Sequence, residues 1–233
     1  YANGLTELDV SNNTSLTSLI CGSNQLTNLD VSNNIALTSL YVDRNNLTSL
    51  NVSANTALEV LKCENNQLTS LNMRNGITDS LTTINTTNNP DLTCIETLDP
   101  DYATENWTNS NGNIDEGVTF SFICGPEDQD VWHVATTGSD GGAGTQESPF
   151  ATIQMGINVA GNGNTVHVTA GTYMEKISYG GKSISITGED RETTIVDADS
   201  SGRPFTFDGD GQHTITLSGF TFTNGNSGQG GGI

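Results

Sequence analysis

The sequence predicts a mainly β chain made of two stacked-coil solenoids in tandem. Three observations carry this expectation. Apolar residues recur with a 21-residue period over the opening stretch of the 233-residue chain. Over the closing stretch they recur as period-two pairs, in coils of 18 to 21 residues. A cysteine-bracketed segment without repeats and a short polar linker lie between the two. Hydrophobic residues make up only 33% of the chain, a fraction that by itself would suit a disordered protein. The strict periodicity argues against disorder, because each coil can bury its apolar edge only against the next.

In the first solenoid the pattern Leu-x-x-Leu-x-Val-x-x-Asn recurs. Leu5, Leu26, Leu47 and Leu68 open one set, and Leu16, Leu37 and Leu58 open a second set offset by 11 residues. Each 21-residue unit thus nests half-units of 11 and 10, within the leucine-rich-repeat range. The triplets Leu16/Leu19/Cys21, Leu37/Leu40/Val42 and Leu58/Leu61/Cys63 place inward residues at period two, as short strands require. Asn13, Asn24, Asn34, Asn45, Asn55 and Asn66 close the half-units. Their amides suit the satisfaction of backbone groups at bends. Ile20, Tyr41 and Lys62 point outward from these strands as a column. Such a column is either a ligand face or an ordinary solvated strand face.

Residues 5–93 resemble the nested leucine-rich repeats of secreted Bacteroidetes proteins. They depart from the pattern at Asn75-Gly76-Ile77-Thr78-Asp79, where Leu68 to Leu81 spans 13 residues and implies a bulged turn. Asn89-Pro90-Asp91-Leu92-Thr93-Cys94-Ile95, then Asn106-Trp107-Thr108 and Cys124, resemble the C-terminal cap of the same repeats. That resemblance implies a Cys94–Cys124 disulfide and an oxidising compartment. Cys21 and Cys63 lie two coils apart, roughly 10 Å, beyond disulfide reach, and read as free core thiols. Asp79-Ser80-Leu81 resembles the Bacteroidetes O-glycosylation acceptor, with Ser80 as the modified residue.

Residues 125–130 read as a linker, which divides the chain into repeats (1–93), cap (94–124) and a second solenoid (131–233). In the second solenoid Val131–Ala135 reads as a strand. Ser148-Pro149 reads as a helix start, and Phe150, Ile153, Ile157 and Ala160 as the apolar stripe of one short helix over about 150–160. Two strand tracks follow, Val166/Ile184/Phe205 and Ile177/Ile195/Ile215, which together describe a parallel β-helix. The strings Val134-Ala135-Thr136-Thr137-Gly138-Ser139-Asp140, Ser148-Pro149-Phe150-Ala151-Thr152-Ile153-Gln154 and Ala170-Gly171-Thr172-Tyr173 are similar to the start of right-handed β-helix domains of the pectate-lyase-like superfamily. The resemblance implies the fold, and the short helix read from the residues would cover its N-terminal edge. It does not imply an activity.

The formal charge of −20, from 27 acids against 7 Lys and Arg, excludes a nucleic-acid backbone or an anionic membrane surface as partner. No apolar run is long enough to cross a membrane, so no membrane insertion is expected. Residue 1 already lies inside a repeat and Gly230-Gly231-Gly232-Ile233 stops short of a strand, so the chain reads as a fragment of a longer polypeptide continuing past residue 233. Asp197/Asp199 and Asp208/Asp210 have the oxygen chemistry for calcium, the one cofactor the sequence leaves open, and equally the composition of polar turns. His133, His167 and His213 read as isolated outward residues, with no catalytic triad or zinc site expected of them. No catalytic set is recognisable. The expectation is therefore an extracellular or cell-surface adhesin that presents rigid faces to carbohydrate or protein ligands. By family analogy it would be exported by the type IX route. The alternatives are a polysaccharide lyase or glycoside hydrolase whose site lies beyond residue 233, and a structural spacer or filament subunit.

Overall fold

The computed structural model describes residues 3–124, 129–207 and 212–226. The chain is mainly β and forms parallel β-solenoid coils, which divide into two compact units, Tyr1–Cys124 and Gly125–Ile233. Strands are numbered along the chain.

In the first unit, β1 (Ser18–Ile20), β2 (Ser39–Tyr41), β4 (Val60–Lys62) and β6 (Thr83–Asn85) form one four-stranded parallel sheet. A second is built from β3 (Ser49–Asn51), β5 (Ser70–Met73), β7 (Cys94–Thr97) and β8 (Thr119–Ser121). Strands of three or four residues have no stability alone, so the stack is the folding unit. The 21-residue period becomes the register Leu19↔Leu40↔Leu61. Leu40, Leu61, Val42 and Cys63 are fully buried, and Cys21 nearly so. Cys21 and Cys63 are free thiols. Burial, reinforced by the Asp43 charge, pushes the Cys21 thiol up to about 11, and burial beside Glu64 raises Cys63 as well.

The half-unit asparagines line two rows. In one, the Oδ1 of Asn24, Asn45, Asn66 and Asn89 accepts from the backbone N–H of Leu5, Leu26, Leu47 and Leu68 respectively, at 3.0 to 3.2 Å. In the other, Asn34 donates to the carbonyls of Val10 and Asn13, and Asn55 to those of Val31 and Asn34. Each amide thus ties its coil to a neighbouring one and satisfies backbone groups that the bend would strand. At the irregular turn near residue 76 the strands keep their alignment, Leu61 facing Ile84, so the extra residues are absorbed outside the sheets.

After the last repeat the chain adds β8 to the second sheet, with Ile95 facing Phe120. Trp107 is buried and meets Phe120 edge-on at 5.7 Å. Between β7 and β8 lies a helix that the sequence pattern did not suggest, α1 (Pro100–Asn106). Its signal was present in Asp99-Pro100. The Asp99 carboxylate accepts from the Tyr102 N–H at 2.9 Å, and Pro100 occupies the first turn, where its missing N–H costs nothing. Cys94 and Cys124 are disulfide-bonded, with Cα atoms 5.8 Å apart.

Among its described residues the second unit has three parallel sheets, where the sequence pattern suggested two tracks. They are β9 (Val131–Val134), β10 (Thr165–Val168), β13 (Ser185–Gly188) and β16 (Thr216–Ser218); β11 (Gly171–Met174), β14 (Thr194–Asp197) and β17 (Thr221–Thr223); and β12 (Ile177–Ser178) with β15 (Phe205–Thr206). Phe205 aligns with Ile177 and so does not continue the Val166 track, which runs through Trp132, Ile186 and Leu217. In β14 it is Val196 that is buried, while Ile195 is partly exposed. A one-residue slip reverses every side chain of a strand, and unequal turn lengths hide that slip in sequence.

Helix α2 (Ile153–Val159) starts later than Ser148-Pro149 suggested. Phe150 is extended: its N–H donates to the His133 carbonyl and its own carbonyl accepts from Ala135, which bridges it to β9. Ser148 is occupied elsewhere, its hydroxyl accepting from the Ala143 N–H at 3.3 Å. The cap is Thr152, whose hydroxyl accepts from the Met155 N–H at 3.1 Å. The helix buries Ile153, Met155, Gly156 and Ile157 against β9 and β10. Gly156 allows close seating, since a Cβ there would lie 2.7 Å from a Val166 methyl.

Candidate ligand-binding face

The column Ile20, Tyr41, Lys62 is formed by register: β1, β2 and β4 align these residues side by side, and Asn85 of β6 extends the row. The alternate residues Leu19, Leu40 and Leu61 point to the core, which fixes the column outward. Ile20 is 61% exposed, and Tyr41 and Lys62 are half-buried. The Lys62 ammonium lies 5.8 Å from the Tyr41 ring centre, a cation–π distance. Alongside, Asp43 pairs with Arg44 at 3.0 Å, and its carboxylate covers Gly22, where a Cβ would lie 2.5 Å from Asp43 Oδ1. The row therefore offers an apolar patch, an aromatic face, a cation and an adjacent carboxylate on successive coils.

Beyond it, Ser23, Arg44, Asn65 and Asn88 all adopt positive φ, between 51° and 58°. Each of these coils thus turns through a left-handed residue of varying type. Asn tolerates that conformation well, and Arg44 adopts it at a cost of about 1–2 kcal/mol.

Elsewhere on the first unit, a hollow of about 350 Å³ is lined by Thr6, Glu7, Leu8, Asp9, Thr27 and Asp30, among others. The Ser11 hydroxyl and N–H hold Asp9 below the usual carboxylate range, and those of Ser32 do the same for Asp30. The repeat pattern did not point to this hollow. Its signal was the acid preceding the inward valine in Asp9-Val10 and Asp30-Val31.

The remaining sequence candidates are separate. Ser80 is exposed in the irregular turn, its hydroxyl donating to Asp79 Oδ1 at 3.1 Å. In the second unit, Asp197 Oδ1 accepts from the Asp199 N–H and its Oδ2 from the Asn224 amide, each at 2.8 Å. Asp199 itself has φ 47°. Asp208 and Asp210 lie outside the described residues. Among the described residues no group of three or more His, Cys, Asp or Glu side chains could hold a metal ion.

The histidines are not all isolated, contrary to the sequence expectation. His133 and His167 are neighbours on β9 and β10, their ring centres 5.6 Å apart. Burial and the neighbouring His167 lower the pKa of His133, against an upward pull from Glu147. His213 stands apart from them, its Nδ1 3.5 Å from the Ser183 hydroxyl.

These elements define a parallel β-solenoid protein. The model of a family described only as a protein of unknown function, DUF1565, matches residues 136–227. Among solved structures, the chain is similar to the functional domain of InlJ from Listeria monocytogenes, described as including a cysteine ladder. The identity is 20% and the TM-score 0.36, over 94% of this chain and 57% of that one. This chain therefore spans little more than half the length of that structure. No curated protein matches.

Proposed function

We propose that this chain belongs to a secreted or cell-surface binding protein, an adhesin that holds carbohydrate or a surface protein on its solenoid faces. In this reading residues 1–93 are leucine-rich-repeat coils, 94–124 their cap, and 131–233 the first coils of a right-handed β-helix of pectate-lyase-like type. The 21-residue register and the Cys94–Cys124 bond support it, the bond because such links persist in oxidising compartments. A Bacteroidetes source and the type IX export route rest on the sequence resemblance.

The observation that carries the binding role is the Ile20–Tyr41–Lys62 row. Aromatic faces stack on sugar rings, and charged groups at coil spacing meet hydroxyls or acidic groups of a repeating polymer. The long, even spacing suits an extended ligand.

The test is retention of the purified chain on immobilised neutral and acidic polysaccharides, in calcium and in chelator, with released sugar assayed in parallel. Retention that falls on Tyr41→Ala and Lys62→Ala supports the face. Loss of retention in chelator assigns calcium to the binding. Sugar release would replace the adhesin reading with that of a polysaccharide-degrading enzyme. Failure to bind any polysaccharide or surface protein would leave the spacer role.

A further inference from the structure

The outer surface of the β9–β10 pair carries two imidazoles side by side. His133 and His167 occupy aligned positions on adjacent parallel strands, where backbones lie about 4.8 Å apart. Trp132, Val134, Val166 and Val168, which alternate with them, are buried, so both rings are fixed on the opposite face. The row continues through Thr187 and Ser218 on β13 and β16. The rings are tilted by 57° with centres 5.6 Å apart, too far and too oblique for close stacking. His167 Nδ1 is buried and makes no hydrogen bond. Glu147 lies near enough for its charge to act on His133.

Two imidazoles at this spacing match bidentate chelation. With metal–nitrogen bonds of about 2.0–2.1 Å, rings on adjacent corners of a tetrahedral ion have centres about 5 Å apart. A small side-chain rotation closes the difference from 5.6 Å. We infer that His133 and His167 together bind one divalent transition-metal ion of the Zn²⁺, Ni²⁺ or Cu²⁺ class, with water completing its coordination. Imidazole selects these ions over Ca²⁺ and Mg²⁺, which prefer oxygen ligands.

The test uses the untagged full chain and Ni²⁺ as probe. Calorimetric titration is expected to give one ion per chain. His133→Gln and His167→Gln should each weaken binding at least about tenfold, and His213→Gln should leave it unchanged. Because a variant can also perturb folding, Cu²⁺-induced broadening of imidazole resonances in the unmutated chain gives a second readout. Broadening centred on His133 and His167 supports the site. Broadening centred on His213 or the N-terminal amine, no uptake up to millimolar Ni²⁺, or uptake that survives the double variant would each overturn it.

Discussion

Glu175 and Lys182 hold the two ends of helix α2. The Glu175 carboxylate accepts from the N–H groups of Ile153 and Gln154 at 2.9 and 3.0 Å. The Lys182 ammonium donates to the carbonyls of Ile157, Asn158 and Ala160 at 2.7 to 3.0 Å. Between them Gln154 exchanges side-chain hydrogen bonds with the Ser178 backbone at 2.8 and 2.9 Å. The chain after β11 thus satisfies both ends of a short helix with charges that oppose its dipole. This arrangement fixes the helix over the core beside β9 and β10.

Burial raises the Glu175 pKa, the two N–H bonds pull it down, and Asp140 adds to the rise. The net direction is upward, so the folded unit holds this proton more tightly than the unfolded chain does. Its contribution is full below the ordinary carboxylate pKa and is lost as pH rises through the raised value. The stability advantage of the native chain over Glu175→Gln should therefore narrow as pH rises above the ordinary carboxylate range, about pH 4. Denaturant titrations at successive pH values check it, and a gap that widens with pH would remove Glu175 as the cause.

Lys182→Ala should destabilise the second unit by about 1–3 kcal/mol, because it strips three charge-assisted bonds from the helix C-terminus. Hydrogen exchange of the α2 amides should rise while those of the first unit stay unchanged. Uniform protection in the variant would show that the carbonyls find other partners at no cost.

In the first unit, Arg74 and Glu96 form an ion pair of 3.1 Å, with side chains only 3% and 14% exposed. The other Glu96 oxygen accepts from the Cys124 N–H at 3.2 Å, so one carboxylate links the irregular turn to the disulfide. Glu96→Ala removes this largely buried ion pair and the bond to the Cys124 N–H, and should cost about 3–5 kcal/mol. Reducing the Cys94–Cys124 bond, which closes a separation of 30 residues, should cost roughly 3–4 kcal/mol. Intact mass after alkylation of unreduced, denatured chain should show two modified thiols, Cys21 and Cys63. Four would disprove the bond.

In the first unit, Asn66 accepts from Leu47 N–H and donates to the Val42 and Cys63 carbonyls, all at 3.0 Å. Asn66→Ala should cost about 2–4 kcal/mol, since it strands backbone groups of two coils. The exposed Asn28→Ala should stay within about 0.5 kcal/mol. Equal urea midpoints for the two variants would refute a structural role for the asparagine row.

These features differ in how far the sequence exposes them. The Leu40–Leu61 core and the Ile20–Tyr41–Lys62 row were legible because a fixed 21-residue step converts directly into register. The His133–His167 pair was not, because a glycine-rich loop and α2 separate its strands, and no repeat spacing survives that insertion. Arg74–Glu96 was hidden for a similar reason, by the irregular turn between them. Ser148-Pro149 satisfies the local rules for a helix start. The β-bridge through Phe150 overrides them, which no local pattern reports.

One close approach between coils in the second unit is glycine against glycine. Gly188 ends β13, and Gly219 follows β16 on the next coil with φ +77°. A Cβ built on either runs into the carbonyl oxygen of the other. The obstacle is backbone, which cannot swing aside as a flexible side chain would. Gly188→Ala must therefore force apart the coils that β13 and β16 hold together. It should cost about 1–3 kcal/mol by overpacking. Gly219→Ala adds about 1–2 kcal/mol for the left-handed backbone. Gly180→Ala is the control: its φ is +66° but nothing lies within 4 Å of the added Cβ, so it carries only the backbone cost. Thermal unfolding should rank Gly219→Ala as most damaging, Gly188→Ala as clearly destabilising and Gly180→Ala as mild. A Gly188→Ala protein as stable as the native chain would mean that these coils are not packed as closely as Gly188 and Gly219 require.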